Sequence, residues 1–198
     1  MLNNLLMGVG GWIAIIAVVV IIVALVGWYI STRNGFVRLK NKVEEAWATI
    51  DVYMKKRFDL IPNLVETVKG YANHESETLE AVVRARNLSV GAKTLEEKMT
   101  ADSQLSSSLK TLFTAVSESY PDLKANSGFL DLQSQLKTIE GELEGARRYY
   151  NGVVKAFNTK LEIFPSNIVA NGMGEEYKKR AYFELDSAEE RQNVKVQF

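Results

Sequence analysis

The 198-residue chain has no cysteine, three prolines and one histidine, His74. The missing thiols exclude disulfides, thiolate metal sites, cysteine nucleophiles and lipoprotein processing. One imidazole cannot build the usual histidine metal cluster, and His74, beside Glu75 with no partner motif, reads as a surface or capping residue. P-loop, GxSxG and HExxH motifs are absent as well, so no recognised catalytic constellation is present. Net charge is also missing, because 24 Lys and Arg balance 24 Asp and Glu. With no strong field and no concentrated basic face, nucleic acid is not an expected partner.

The first thirty residues contain no charged side chain, and Trp12–Ile30, WIAIIAVVVIIVALVGWYI, is an unbroken apolar run. About 19 residues at roughly 1.5 Å each span about 28 Å, the thickness of a bilayer's hydrocarbon core. Trp12 at one end and Trp28 and Tyr29 at the other stand where amphipathic rings favour the lipid–water boundary. The leading tail, residues 1–11, carries no Lys or Arg, and no small-x-small cleavage site follows the run. A retained transmembrane helix is therefore expected rather than a signal peptide. Arg33, Arg38, Lys40 and Lys42 follow the span, which places the remainder in the cytoplasm and the N-terminus outside. Gly27, Ser31 and Gly35 recur every four residues, a spacing that suits close approach of a second helix.

Beyond the span, about 168 residues are enough for one domain with a core. Phe36, Leu39, Val43, Trp47, Ile50, Met54, Phe58, Ile61, Leu64 or Val65, Val68 and Ala72 recur in threes and fours. That is one stripe of a straight helix leaving the membrane directly. Pro62 removes a backbone donor, yet the apolar phase continues past it, predicting a kink rather than a loop. Gly70, Asn73 and His74 mark a second weak point.

Leu79, Val82, Val83 and Leu88 predict a helix to about Val90, ended by Gly91 and Ala92. Thr94 to Glu97 reads as a capping box opening the next helix, whose stripe is Leu95, Met99, Leu105, Leu109, Leu112, Phe113 and Val116. Tyr120–Asn126 is a turn, with Asn126 or Ser127 as the following cap. Phe129 to Leu161 repeats by threes and fours as a second long helix, able to lie beside the first, and Phe164–Asn167 stops it.

The segments Val43–Glu75, Ser117–Asn126 and Ala146–Ala170 closely resemble the bacterial LemA family in order and content, and the resemblance covers nearly the whole chain. The family positions that match are Arg57, Asp59, Pro62, Asn63, Tyr120, Pro121, Asn126, Arg147, Tyr150 and Asn151, expected to serve structure or partner binding. The resemblance implies a membrane-anchored bundle with no established catalytic activity, in a family linked to magnetosome membranes and membrane-stress proteases.

The expected fold is all-α, a single N-terminal transmembrane helix followed by a bundle of long antiparallel helices. Its parts are the tail 1–11, the span 12–30, a LemA-like bundle 31–170 and a loosely packed tail 171–198. In that tail Tyr177, Ala181 and Leu185 offer the alternative of a short helix near a membrane or partner.

Asp59 and Asn63, and Arg147 and Asn151, are each four residues apart, so a hydrogen-bonded cluster is expected to fix helix register near Pro62, with a partner-binding patch as the alternative. Glu140 and Glu144 share a helix face, but the Glu-x-x-His motif of di-metal bundles is absent, and no cofactor is expected. The reading is a non-enzymatic, membrane-anchored scaffold that self-associates and organises membrane or serves envelope stress. Its partners would be the lipid bilayer, further copies of the chain and a membrane protein. The alternative is an accessory subunit that regulates a membrane protease or transporter.

Overall fold

A computed structural model describes residues 2–71 and 76–183, with backbone alone for residues 2–10 and Ser76. Ala72, Asn73, His74, Glu75 and Leu185 lie outside the described residues. The helices are α1 Leu2–Lys69, α2 Ser76–Gly91, α3 Leu95–Ser119, α4 Pro121–Lys124, α5 Ser127–Glu162 and α6 Ser166–Asn171, followed by a 3₁₀ turn at Glu175–Tyr177. No strand occurs among the described residues, and the chain is all-α.

The described residues form two compact units. One contains the chain up to Glu45 together with Gly152–Ala181; the other contains Ala46–Asn151 with Tyr182 and Phe183.

In the first unit, the part of α1 up to Ile30 is long and apolar enough to cross a membrane, and none of its apolar window is buried. Phe36, Val43, Val154, Phe157 and Val169 form the unit's core, with Phe36 and Phe157 edge to face at 6.5 Å. Gly35 is used within the chain. A Cβ there would fall 2.0 Å from Lys160 Nζ, whereas Gly27 has nothing within 4 Å and Ser31 is exposed. Of this small-residue spacing, Gly27 and Ser31 are uncovered within the chain, and Lys160 lies over Gly35.

The segment after α6 departs from the expected loose tail. Glu175–Tyr177 form their turn, and Lys40 Nζ reaches Glu176 Oε2 at 2.5 Å and lies 5.7 Å from the Tyr177 ring centroid. Asn158 then pairs with the backbone of Arg180 twice, accepting from its N–H at 2.9 Å and donating to its carbonyl at 2.9 Å. An asparagine amide has one acceptor and one donor side, so a single side chain answers both backbone groups of one residue. Periodicity cannot reveal such a dock, because its bonds run to backbone.

In the second unit, Ile61, Leu64 and Val68 of α1 pack with Leu79 and Val82 of α2 and with Leu105, Leu109 and Leu112 of α3. Leu123 of α4 and Phe129 and Leu136 of α5 complete the core. Thr94 caps α3 through the expected box, its hydroxyl accepting from Glu97 N–H at 3.1 Å while Glu97 accepts from Thr94 N–H at 3.0 Å. The backbone N–H groups of Thr94 and Lys93 hold the Glu97 carboxyl below its usual pKa. Asn126 caps α5, accepting from Phe129 N–H at 3.0 Å.

Helix α1 continues through Pro62 without a break. The proline ring has no N–H for the carbonyl four residues earlier, that of Phe58. Arg86 of α2 supplies the missing donor, with Nε 3.1 Å from Phe58 O. Arg86→Met should therefore cost about 1–2 kcal/mol in reversible denaturation followed by helical circular dichroism. The cost should shrink in a Pro62→Ala background, where the restored N–H answers the same carbonyl. An equal cost in both backgrounds would mean that the guanidinium acts elsewhere.

Candidate functional site

Three helices of the second unit each place an ionisable side chain where the buried stripe calls for an apolar one. Arg57 falls between Met54 and Ile61 on α1, Asp102 beside Ala101 and Leu105 on α3, and Arg147 between Leu143 and Tyr150 on α5. Arg57 is 1% exposed and Asp102 0%. Charges at that depth survive only when paired and hydrogen-bonded.

Asp102 bridges the two arginines, Oδ1 accepting from Arg57 Nη2 and Oδ2 from Arg147 Nη2. Glu140 of α5 closes the other side, with Oε2 2.5 Å from Arg57 Nη1 and Oε1 3.6 Å from Arg147 Nη1. Arg57 also donates to Ser106 Oγ at 2.9 Å and to the Asp102 carbonyl at 3.2 Å. Two positive and two negative groups thus cancel. The Nε of each arginine is buried without a hydrogen-bond partner.

Burial pushes the Asp102 pKa up, against the pull of Arg57 and Arg147. Desolvation thus outweighs what the two guanidiniums return, a common balance for buried ion pairs.

Arg147 also stacks on Phe183, its guanidinium carbon 5.0 Å from the ring centroid. Asn151 holds Phe183 by the same two-point backbone bond seen at Arg180, accepting from its N–H at 2.7 Å and donating to its carbonyl at 2.9 Å. Trp47 completes the layer, 5.7 Å from Tyr150 and 6.3 Å from Phe183. Lys98 lies 5.2 Å over the Trp47 ring and pairs with Asp51 at 2.7 Å.

The family positions therefore separate. Arg57, Arg147, Tyr150 and Asn151 meet in this layer. Asp59 is exposed and pairs with Lys55 at 2.7 Å, while Asn63 is exposed and lends only its carbonyl to Thr67. The cluster expected from Asp59, Asn63, Arg147 and Asn151 does not form as drawn, because Asp59 and Asn63 lie on the solvent face of α1. Asp102, Ser106 and Glu140 take their place, while Glu144, on the same helix, pairs with Arg148.

Tyr120 and Pro121 form the α3–α4 joint, Tyr120 packing on the core and Pro121 opening α4. Asn126 donates to Tyr71 Oη at 3.0 Å besides capping α5. Of the residues assigned to a membrane boundary, Trp12, Trp28, Tyr29, Arg33 and Arg38 are exposed. Lys40 is not a free cation, since Glu176 holds it.

Glu140 is partly exposed and opens, with Arg57 and Ser106, onto a groove of about 880 Å³ that Leu109, Phe113 and Leu136 also line. The Ser106 hydroxyl is held by a guanidinium and not by a base that would activate it. Such a site can position helices or receive an apolar segment, but it presents no activated nucleophile.

These features define an all-helical protein with an exposed apolar N-terminal helix and an ion network joining its helices. A model of the LemA family matches residues 46–198, and the chain belongs to that family. Protein LemA of Metamycoplasma hominis is 28% identical over 145 residues, covering 72% of this chain and 65% of that protein. The chain thus spans just under two thirds of that relative's length.

Arg57→Met should lower stability by about 3 kcal/mol or more at neutral pH, since it leaves Asp102 short of one buried partner. The Asp102 pKa, already raised, then rises further. A raised folded-state pKa gives stability that is present below the unfolded value and lost as pH rises through the folded one. The deficit measured by denaturation should therefore shrink in mildly acidic buffer, and adding Asp102→Asn should recover part of it at neutral pH. A pH-independent deficit untouched by the second substitution would assign the effect to packing alone.

Proposed function

We propose that this protein is a non-enzymatic, membrane-anchored helical scaffold that self-associates and organises membrane or takes part in envelope stress. The carrying observation is the uncovered apolar length of α1, which runs without a break into a folded helical unit. Exposed apolar surface of that extent calls for lipid or a partner.

The flanking charges favour an outer N-terminus and a cytoplasmic C-terminal part, with Arg33 and Arg38 exposed just past the span. A scaffold role is supported by the chemistry of the interior. Its polar centre pairs the guanidiniums of Arg57 and Arg147 with a buried carboxylate, Asp102, and a partly exposed one, Glu140. Gly27 and Ser31 leave one face of the span free for a second copy.

Full-length protein extracted gently into a membrane mimetic should show, by light scattering and electron microscopy, a homo-oligomer that Gly27→Leu reduces to smaller species. A monomer, or a stoichiometric complex with an unrelated polytopic protein, would overturn the scaffold reading and favour an accessory subunit of a protease or transporter. In spheroplasts, external protease should remove an N-terminal tag and spare a C-terminal one.

A further inference from the structure

The corner between α5 and α6 is apolar where it meets solvent, with Ile163 52%, Phe164 78% and Ile168 61% exposed. Within the first unit, α5 runs antiparallel to α1. Phe157 packs on Phe36, and a turn further on Lys160 Nζ lies 5.1 Å from the centroid of the same ring. The register then carries Ile163 and Phe164 to Thr32 and Trp28, with which they line one groove of about 560 Å³. The corner therefore stands at the level where the apolar run of α1 ends.

Its backbone is answered locally. Ile163 N–H donates to Thr159 O at 3.0 Å, Asn167 N–H to Ile163 O at 3.0 Å and Ile168 N–H to Pro165 O at 3.2 Å. Ser166 Oγ lies 2.6 Å from Lys160 O and 2.9 Å from Ile163 O and shares its hydrogen between them. Pro165 has no N–H to satisfy. Helix ends normally leave carbonyls that need water, and in a lipid boundary each unanswered group costs free energy. At this helix end the carbonyls of Thr159, Lys160, Ile163 and Pro165 are answered.

Two cations border the same groove, Lys155 and Lys160. Neither is paired with a carboxylate among the described residues. Lys160 is partly buried and faces Arg38, and burial followed by that like charge holds its pKa below the usual lysine value. An anionic group beside it would relieve both effects.

We propose that this corner is a second membrane contact, in which Ile163, Phe164 and Ile168 enter the headgroup–acyl boundary beside the end of the span and Lys155 and Lys160 meet the phosphates of anionic lipid. Lipid is favoured as the occupant because the patch continues the apolar surface of α1 at its boundary aromatic, Trp28. The inference rests on α1 crossing the bilayer and adds a second, shallow site of insertion.

Because the chain has no cysteine, single Phe164→Cys, Ile168→Cys and Val20→Cys variants of the full chain can carry an environment-sensitive fluorophore without background. Each is reconstituted in phosphatidylethanolamine–phosphatidylglycerol vesicles containing lipid with a doxyl quencher either near the headgroup or at mid-chain. Interfacial insertion reaches about 5–10 Å below the surface, so the fluorophores at 164 and 168 should be quenched at least about twofold more by the shallow doxyl than by the deep one. The fluorophore at 20 should show the reverse preference. Deep quenching at 20 with none at 164 and 168 would overturn the second contact while leaving the span intact. Absence of quenching at 20 would instead overturn the span itself, and the proposal with it. Blue-shifted emission at 164 that neither doxyl lipid quenches would mean that a protein neighbour, such as a second copy, covers the corner, and would also overturn it.

Discussion

Charge cancellation inside the second unit constrains everything packed around it. Arg57, Asp102, Arg147 and Glu140 come from three helices, and the three buried charges, Arg57, Asp102 and Arg147, are tolerable only where their partners are. An apolar stripe of leucines and valines can slide by a turn and still bury similar area, because the hydrophobic effect is non-directional. A guanidinium fork against a carboxylate cannot, since one turn of slippage leaves two arginines and an aspartate desolvated without partners. The leucine-rich core is the non-directional part of this packing, and the ion network is the directional part.

The same logic of answering a polar group by one fixed partner recurs at smaller scale. Asn158 and Asn151 lie seven residues apart on α5, and each engages both backbone groups of one residue, Arg180 and Phe183 respectively. Within its own unit each contact turns a stretch without periodicity into an ordered one. At Phe183 the dock also sets an aromatic face against Arg147, so the backbone bonds of Asn151 help to cover a charge. Arg86 plays the corresponding part at Phe58, where a proline has removed the natural donor.

Much of the helical architecture was legible because burial has a period. The stripes from Phe36 to Val68 and from Phe129 to Leu161 mark helix faces, and the Thr94 box and the Asn126 cap are local signals that the structure keeps. The ion network was only half legible, for a definite reason. Reading the stripe through apolar residues alone passed from Met54 to Phe58 and from Met99 to Leu105, and the skipped positions are Arg57 and Asp102. A charged residue in phase with a buried stripe is itself a signal, and both residues carry it. Asp59 and Asn63 resembled network members only by spacing, and their phase, off the stripe, puts them in solvent. The docked segment up to Phe183 had no such signal, since asparagine-to-backbone pairing leaves no periodic trace.

Glycine and lysine illustrate how one position can lose an expected role to a neighbour within the chain. Gly35 fits the small-residue spacing of a helix–helix contact, but Lys160 lies over it, its ammonium above Phe36. A long side chain can cover apolar surface with its methylenes while its charge seeks a wetter exit. At this place that exit is not a carboxylate, for the nearby charge is Arg38. The same side chain therefore covers Gly35 and, among the described residues, leaves a cation without a carboxylate partner beside the end of the apolar run. Lys40 of α1 shows the contrasting outcome, since Glu176 pairs with its charge. Which of the cations past the apolar run stay without a carboxylate is thus decided by the acidic side chains within reach, and a count of basic residues does not contain that information.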